Sequence, residues 1–304
     1  MLGQLMYLPW WYLRSRVFGE RRPLQTVLFV TDYCNLRCKH CMADGHACRA
    51  MKPYEQIRQE LLDARFDGSR FVDFEGGEPT LWRDGDRTLN DLYRLAKELG
   101  FYSCTLTTNG QRPFGDTLAD SVWVSVDGYR EAHDRVRGEG TFAKLDRSIR
   151  ESGHRDVSIA MAVNRINRDS VADTARYARD NPAVRSVAFN LHTPFPGTEE
   201  LTLPWEERCR VIDEIIALKR AGYPVMNSIP GLEIMKRRGF PKDCWIANYI
   251  LTDGTHLSQC PGRVFGVCDD CGFCMAGEMY QVLRLNPRTV LAGLRLRLPQ
   301  RKPL

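Results

Sequence analysis

Residues 31–42 read TDYCNLRCKHCM and place Cys34, Cys38 and Cys41 in a CxxxCxxC spacing just past the apolar run VLFV at 27–30. Three thiols within eight residues, on a loop leaving a predicted strand, can wrap one face of a cubic iron–sulfur cluster. Such clusters are ordinarily held by four cysteines, so one iron is left without a protein ligand. A reduced cluster with an open corner can chelate a small molecule and pass it an electron. The same thiols also suit a zinc knuckle, for which His40 or Cys48 would be the fourth ligand.

Working outward, short β-branched runs alternate with helical patterns, which predicts parallel strands joined by crossover helices. Strands are expected at 26–31, 70–75, 102–107, 121–126, 157–163 and 186–191, and helices at 53–66, 88–99, 142–151, 170–179 and 205–221. A chain of 304 residues can fill one large α/β barrel with a small appendage. Hydrophobic content of 43% and charged content of 27% describe an ordinary globular protein, and no stretch is apolar for long enough to span a bilayer. Of the eleven cysteines, eight cluster at 34, 38 and 41 and again at 244, 260, 268, 271 and 274, a pattern expected of metal sites in a reducing cytoplasm rather than of disulfides. Cys48, Cys104 and Cys209 stand apart and read as structural.

The run from Cys34 to Cys41 resembles the signature of radical S-adenosylmethionine (SAM) enzymes, and Gly76-Gly77-Glu78-Pro79, some forty residues later at a strand end, resembles the GGEP motif of that family. The resemblance implies an incomplete, TIM-like (β/α)6 barrel with functional groups at the carboxyl ends of its strands. It also implies a [4Fe-4S] cluster on Cys34, Cys38 and Cys41 whose open iron binds SAM. By the same match, His40 and the 76–79 segment contact the cofactor, the latter accepting hydrogen bonds from the SAM ammonium. Asn109 ends the third strand in the manner of the family. Ser125 and Arg137 would hold the SAM carboxylate, a role that suits a guanidinium fork; the alternative for Arg137 is a helix cap or a pair with Asp134. Asn164 would lie near the ribose and His192 would face cofactor or substrate as the catalytic candidate. The irregular stretch 193–203 (TPFPGTEELTL) suits a pocket mouth. The family draws its electron from a donor such as flavodoxin or ferredoxin.

Cys244, a hairpin turn at Asp253-Gly254 and Cys260 resemble the opening of the SPASM and Twitch extensions that hold auxiliary [4Fe-4S] clusters. Cys268, Cys271 and Cys274 follow, so five thiols compete for a site that needs four. That is too few for two fully ligated auxiliary clusters and fits one. A structural zinc is the alternative.

The basic charge is concentrated at the ends. Residues 1–22 carry four arginines against Glu20, and residues 284–304 carry five arginines and a lysine with no acid, within a net charge of +5. The opening is apolar first and basic afterwards, the reverse of a secretory signal. Its tryptophans and arginines suit either a membrane–water boundary or packing across the base of the barrel. Asn286-Pro287 predicts a helix entry, with Val290, Leu291, Leu294 and Leu298 on one face. The expected division is a basic, aromatic segment at 1–22, a barrel at 23–222, an auxiliary-cluster lobe at 223–283 and a basic amphipathic tail at 284–304.

The expected activity is therefore cleavage of SAM to a 5′-deoxyadenosyl radical that takes hydrogen from an unactivated carbon. The termini point to a small-molecule amphiphile or a lipid-linked, membrane-associated substrate, with the enzyme cytoplasmic and peripheral at the inner membrane surface. The 125–137 loop and the cysteine-rich lobe point instead to a ribosomal peptide or protein side chain. An RNA-binding module without catalysis would need neither GGEP nor an open iron, and the aromatics are not interleaved as a stacking platform, so nucleic acid is not an expected partner.

Overall fold

The computed structural model describes residues 2–41 and 50–297, with side chains over 6–41 and 50–293. Eight strands form one sheet: β1 (Gln25–Thr31), β2 (Phe71–Gly76), β3 (Ser103–Thr108), β4 (Ser121–Ser125), β5 (Val157–Val163), β6 (Ser186–Leu191), β7 (Ala247–Ile250) and β8 (His256–Leu257). Their order is β6-β5-β4-β3-β2-β1-β7-β8. Every neighbouring pair is parallel except β7–β8. The crossovers carry α2 (Tyr54–Asp67), α3 (Leu89–Glu98), α4 (Glu131–Arg137), α5 (Thr141–Glu151) and α6 (Val171–Asp180), preceded by α1 (Leu2–Val17). After β6 come α7 (Trp205–Arg220), α8 (Ile229–Met235), the one-turn α9 (Pro261–Val264), α10 (Met275–Leu283) and α11 (Pro287–Arg297). The six expected strands and five expected helices are present as a partial TIM-like barrel.

Alternation along the strands separates two environments. Leu28, Val30, Val72, Phe74, Leu106, Val122, Val124, Ile159, Met161 and Phe189 are buried in one core with Ile57, Leu61, Leu92, Leu145 and Ile212 of the helices. The alternate positions carry Asp73, Glu75, Thr105, Thr107, Ser121, Ser125, Ser158 and Asn190. Hydroxyl pairs join them across strands, Thr105 to Ser121 at 3.1 Å and Ser158 to Ser186 at 3.0 Å. A strand buried on both faces would be apolar throughout; here the inner face mixes these polar side chains with Val27, Phe29, Phe71 and Trp123, which leaves a partly wettable barrel interior.

The β7–β8 hairpin turns at Gly254, whose φ of 86° suits glycine, and docks parallel to β1 from Gln25↔Ala247 to Leu28↔Ile250. The sequence reading had the turn but not the docking, because four residues are too short to show a period. The opposite edge is also covered. The Asn227 amide accepts from the Phe189 N–H at 2.8 Å and donates to the Phe189 carbonyl at 3.0 Å, which satisfies backbone groups that β6 would otherwise expose.

Candidate active site

The first thiol loop is tied down before its cysteines begin. The Gly77 and Glu78 N–H groups donate to the carbonyls of Thr31 and Tyr33 at 2.7 and 2.8 Å. A Cβ on Gly77 would stand 2.3 Å from the Asp32 carbonyl oxygen, so the glycine is required by the close approach of the chain's own backbone. Glu78 is buried and engaged by protein donors: Oε1 accepts from the Thr80 N–H and from the Thr80 and Thr108 hydroxyls, and Oε2 accepts from the Asn109 N–H. It clamps the end of β2 to the end of β3. Asn109 then donates to Asn35 Oδ1 at 2.8 Å and lies 3.7 Å from Cys34 Sγ, while the Leu36 N–H points at the same sulfur from 3.4 Å.

Beyond the loop stands Asp127 at the end of β4, fully buried. Its carboxylate accepts from Arg137 Nε at 2.6 Å and from the Ala162 N–H at 2.8 Å, and His40 Nε2 lies 3.5 Å away. Its own N–H donates to His133 Nδ1 at 3.0 Å. Burial alone would raise this carboxyl, but Arg137, His40, His133 and the Ala162 N–H outweigh it and hold the pKa down to about 2. Arg137 is thus paired with Asp127 rather than Asp134, and its Nη1 lies 3.8 Å from Cys38 Sγ. The residues around the SVDG stretch were legible, yet Asp127 was not selected; a carboxylate at a strand end ten residues before an arginine was the available signal.

The donor set fits a cluster. Burial pushes the Cys34 thiol up and the Cys38 thiol to about 11, so each sulfur is poorly ionised unless a cation faces it. N–H donors from Leu36, Asn109 and Arg137 already point at these sulfurs, as a thiolate-held group needs. Cys41 lies at the exposed end of the loop, bonded through its N–H to the Cys38 carbonyl. His40 is half-buried, and its buried Nδ1 has no protein partner. Ser125 ends β4. Asn164 is fully buried and caps the turn after β5, accepting from the Ile166 N–H at 2.9 Å and donating to the Ala162 carbonyl at 3.2 Å. His192 follows β6 with Nε2 held at 2.9 Å from the Thr198 carbonyl, so it braces the irregular 193–203 stretch. Cys48 lies outside the described residues.

The second cysteine group assembles at both edges of the sheet. Cys244 precedes β7 and Cys260 follows β8; their thiols are hydrogen-bonded, and Cys244 together with the Gly262 and Arg263 N–H groups favours the anion on Cys260. Cys244, Cys260 and Cys268 line a cavity of about 170 Å³ with Lys242 and Arg263. Cys271 is electrostatically close to Cys244 and Cys260. Cys274 turns away: it is buried, its Sγ donates to the Gly272 carbonyl at 3.6 Å, and its N–H donates to Asn190 Oδ1 at 3.0 Å. The loop is seated on β6, where the Leu191 N–H donates to the Gly272 carbonyl at 2.8 Å and a Cβ on Gly272 would strike the Leu191 carbonyl. Arg208 of α7 donates to the carbonyls of Asp270 and Cys271. Among the described residues, no three His, Cys, Asp or Glu side chains close on a single-ion site.

Inside the barrel, Asp73 and Glu75 of β2 share a hydrogen bond, and the Thr107 hydroxyl donates to Asp73 at 3.1 Å. Burial raises both carboxyls, Glu75 to about 6. The half-buried Tyr249 of β7 lies near both this pair and Cys260. None of the three was singled out from the sequence, because their significance depends on which strand face turns inward.

Residues 28–178 match the profile of the Radical SAM superfamily. A partial barrel with three loop cysteines at the top of its first strand is the architecture of that class, and this chain belongs to it. Among curated proteins it is 28% identical over 170 residues to a GTP 3′,8-cyclase of Actinobacillus succinogenes, covering 51% of this chain and 50% of the relative. It is 29% identical over 164 residues to an Fe-coproporphyrin III synthase of Methanosarcina barkeri, covering 51% and 39%. The chain spans about half the length, or less, of these relatives. In fold it is similar to Streptococcus suis SuiB bound to precursor peptide SuiA, with a TM-score of 0.64, 16% identity and coverage of 93% of this chain and 69% of that one. It is also similar to anSMEcpe with bound AdoMet and a Cp18Cys peptide, with a TM-score of 0.53, 18% identity and coverage of 91% and 84%.

Proposed function

We propose that this chain is a radical SAM enzyme that takes a hydrogen atom from an unactivated carbon of a peptide or protein side chain. The observation that carries the reading is the presence of two separate cysteine groups, one past the end of β1 and one gathered around the β7–β8 hairpin and β6, on a barrel similar in fold to SuiB and anSMEcpe, both solved with peptides. These neighbours support the peptide alternative better than the amphiphile expected from the termini.

In this reading Cys34, Cys38 and Cys41 hold the SAM-binding [4Fe-4S] cluster, and Cys244, Cys260, Cys268 and Cys271 hold an auxiliary one, with Cys274 left out. When bound, the first cluster and SAM supply the electron and the sulfonium from which the 5′-deoxyadenosyl radical arises. Arg137 presents a cation toward Cys38 and the SAM carboxylate, and Asp127 fixes the plane of its fork. Ser125, at the end of β4, would contact the cofactor, and Asn164 would act from behind by fixing the turn after β5. His192 secures the 193–203 stretch as a water-excluding wall. Asp73 and Glu75, sharing a proton, accept hydrogen bonds from a neutral or cationic substrate group.

The sequence relatives include enzymes named for GTP and for coproporphyrin. A half-buried carboxyl pair in the barrel interior is a poor host for a triphosphate or a polycarboxylate, since like charges brought together where water is partly excluded repel. That argument favours the peptide. With dithionite and SAM, the wild type is expected to release 5′-deoxyadenosine and Cys38→Ala to release none; equal yields overturn the mechanism. Adding short synthetic peptides should raise the yield and leave a mass change on one of them. Stimulation by GTP or a porphyrin, with every peptide inert, would reassign the substrate.

A further inference from the structure

Helix α1 is apolar on more sides than the barrel covers. One face is docked: Trp11 is buried, stacks on Trp245 with ring centroids 5.6 Å apart and donates from Nε1 to the Arg22 carbonyl at 2.8 Å. The Tyr7 hydroxyl donates to the Gly68 carbonyl at 2.5 Å and the Tyr12 hydroxyl to the Leu283 carbonyl at 3.1 Å. The other face carries Met6, Trp10, Leu13 and Val17, at spacings of four, three and four, and Phe18 follows. Each of the five is at least 45% exposed. Five of the thirteen large apolar side chains exposed among the described residues therefore fall within residues 6–18. A helix that is apolar all round belongs where apolar partners are available all round, and protein supplies them on one side alone.

The rim of this face is basic. Arg16 and Arg21 are exposed, Arg14 lies over the Trp10 ring at 5.5 Å, and Glu20, the single acid, is engaged by Arg14 and Arg22. An exposed stripe of Met, Trp, Leu and Val edged by arginines is complementary to a lipid headgroup layer: the apolar side chains enter the acyl boundary while the guanidinium groups meet phosphates. No helix of the described residues is long and apolar enough to cross a membrane, so the contact lies in the surface plane.

We propose that the outer face of α1 binds the surface of an anionic phospholipid membrane. The helix contacts chain that leads into strands, at Gly68 before β2, Tyr102 before β3 and Trp245 before β7. Cys34, Cys38, Cys41 and Cys271 instead lie past the carboxyl ends of β1 and β6. Lipid therefore meets the base of the barrel, at the end opposite the loop that carries Cys34, Cys38 and Cys41. The contact moors the enzyme and does not draw substrate from the same leaflet, so it stands whether or not the peptide reading does.

The test is flotation of the full chain with phosphatidylcholine vesicles and with vesicles that also contain phosphatidylglycerol. The wild type is expected to float with the anionic vesicles and to be released by salt. Met6→Ser/Trp10→Ser/Leu13→Ser/Val17→Ser should stay in the dense fraction with unchanged circular dichroism. Arg16→Gln/Arg21→Gln keeps the apolar stripe and should lower the partition coefficient roughly thirtyfold. Equal flotation of the wild type and the Arg variant overturns the proposal. So does a wild type that ignores anionic vesicles, including one that sediments as a dimer which the four-serine variant splits, since a second copy would then be the occupant.

Discussion

The two cysteine groups are held in different ways. Cys34, Cys38 and Cys41 sit on one continuous loop that is pinned at its start by Gly77 and Glu78, at Lys39 by the Val136 carbonyl, and from behind by the buried Asp127–Arg137 pair. The second group is gathered from three places: the entry to β7, the exit from β8, and a loop held on β6 by Leu191 and Arg208. A local loop with three thiols leaves a corner for an outside ligand; a site drawn from distant segments, with a surplus of thiols, can close completely. The first arrangement is suited to chemistry and the second to electron storage.

The largest expected effect tests that division. Cys34→Ala/Cys38→Ala/Cys41→Ala should abolish 5′-deoxyadenosine release and keep about half of the roughly eight irons that two clusters would carry. Cys244→Ala/Cys260→Ala should also lose about half the iron yet still release 5′-deoxyadenosine under dithionite. If both variants stop release equally, the two groups do not have separate tasks. Next in size is Arg137→Met, which leaves the Asp127 carboxylate buried without its partner and should cost about 3–5 kcal/mol in urea unfolding. Its counterpart Arg208→Met, which removes donors to two carbonyls, should cost less and lower iron at the second group alone. A smaller contrast separates neighbours within that group: Cys271→Ala should lose one cluster's absorbance, whereas Cys274→Ala should keep the full iron content.

These contrasts also show what the sequence could reveal. The first group was legible because its spacing is local: CxxxCxxC and GGEP each lie within one loop. The six barrel strands were legible because their outward faces are continuous apolar patterns. Asp127, Asp73, Glu75 and Tyr249 were not, since a carboxylate or phenol on a strand looks the same from either side until the register fixes which face turns inward. The surplus among the second cysteines was legible as a count of five, but which of them is spare was not. The seating of Gly272 on Leu191 accompanies a buried Cys274, while Cys244, Cys260 and Cys268 line the cavity.

The smallest effect concerns how the support behind the first group responds to acid. His133 is buried with Nδ1 accepting the Asp127 N–H and Nε2 unpartnered, and burial followed by the Arg137 charge depresses its pKa from 6.5 to about 3. Between those values the unfolded chain takes up a proton that the folded chain refuses, so stability falls as pH drops from 6.5 by about 1.4 kcal/mol per pH unit. Asp127 has the opposite origin and a lower window: its pKa of about 2, against 3.8, gives stability that is lost only as pH falls below about 3.8. His40, also depressed by burial to about 4, adds to the upper slope in the wild type and in any His133 variant alike. Asn at 133 can still accept the Asp127 N–H but cannot titrate, and it loses the edge contact with Phe142 at every pH. Urea unfolding of His133→Asn should therefore start below the wild type at pH 7 and converge on it by pH 5.5, because the variant lacks one of the two histidine slopes. Parallel curves would mean that His133 titrates in the fold as it does in the unfolded chain and that the buried support around Asp127 is wetter than its hydrogen bonds require.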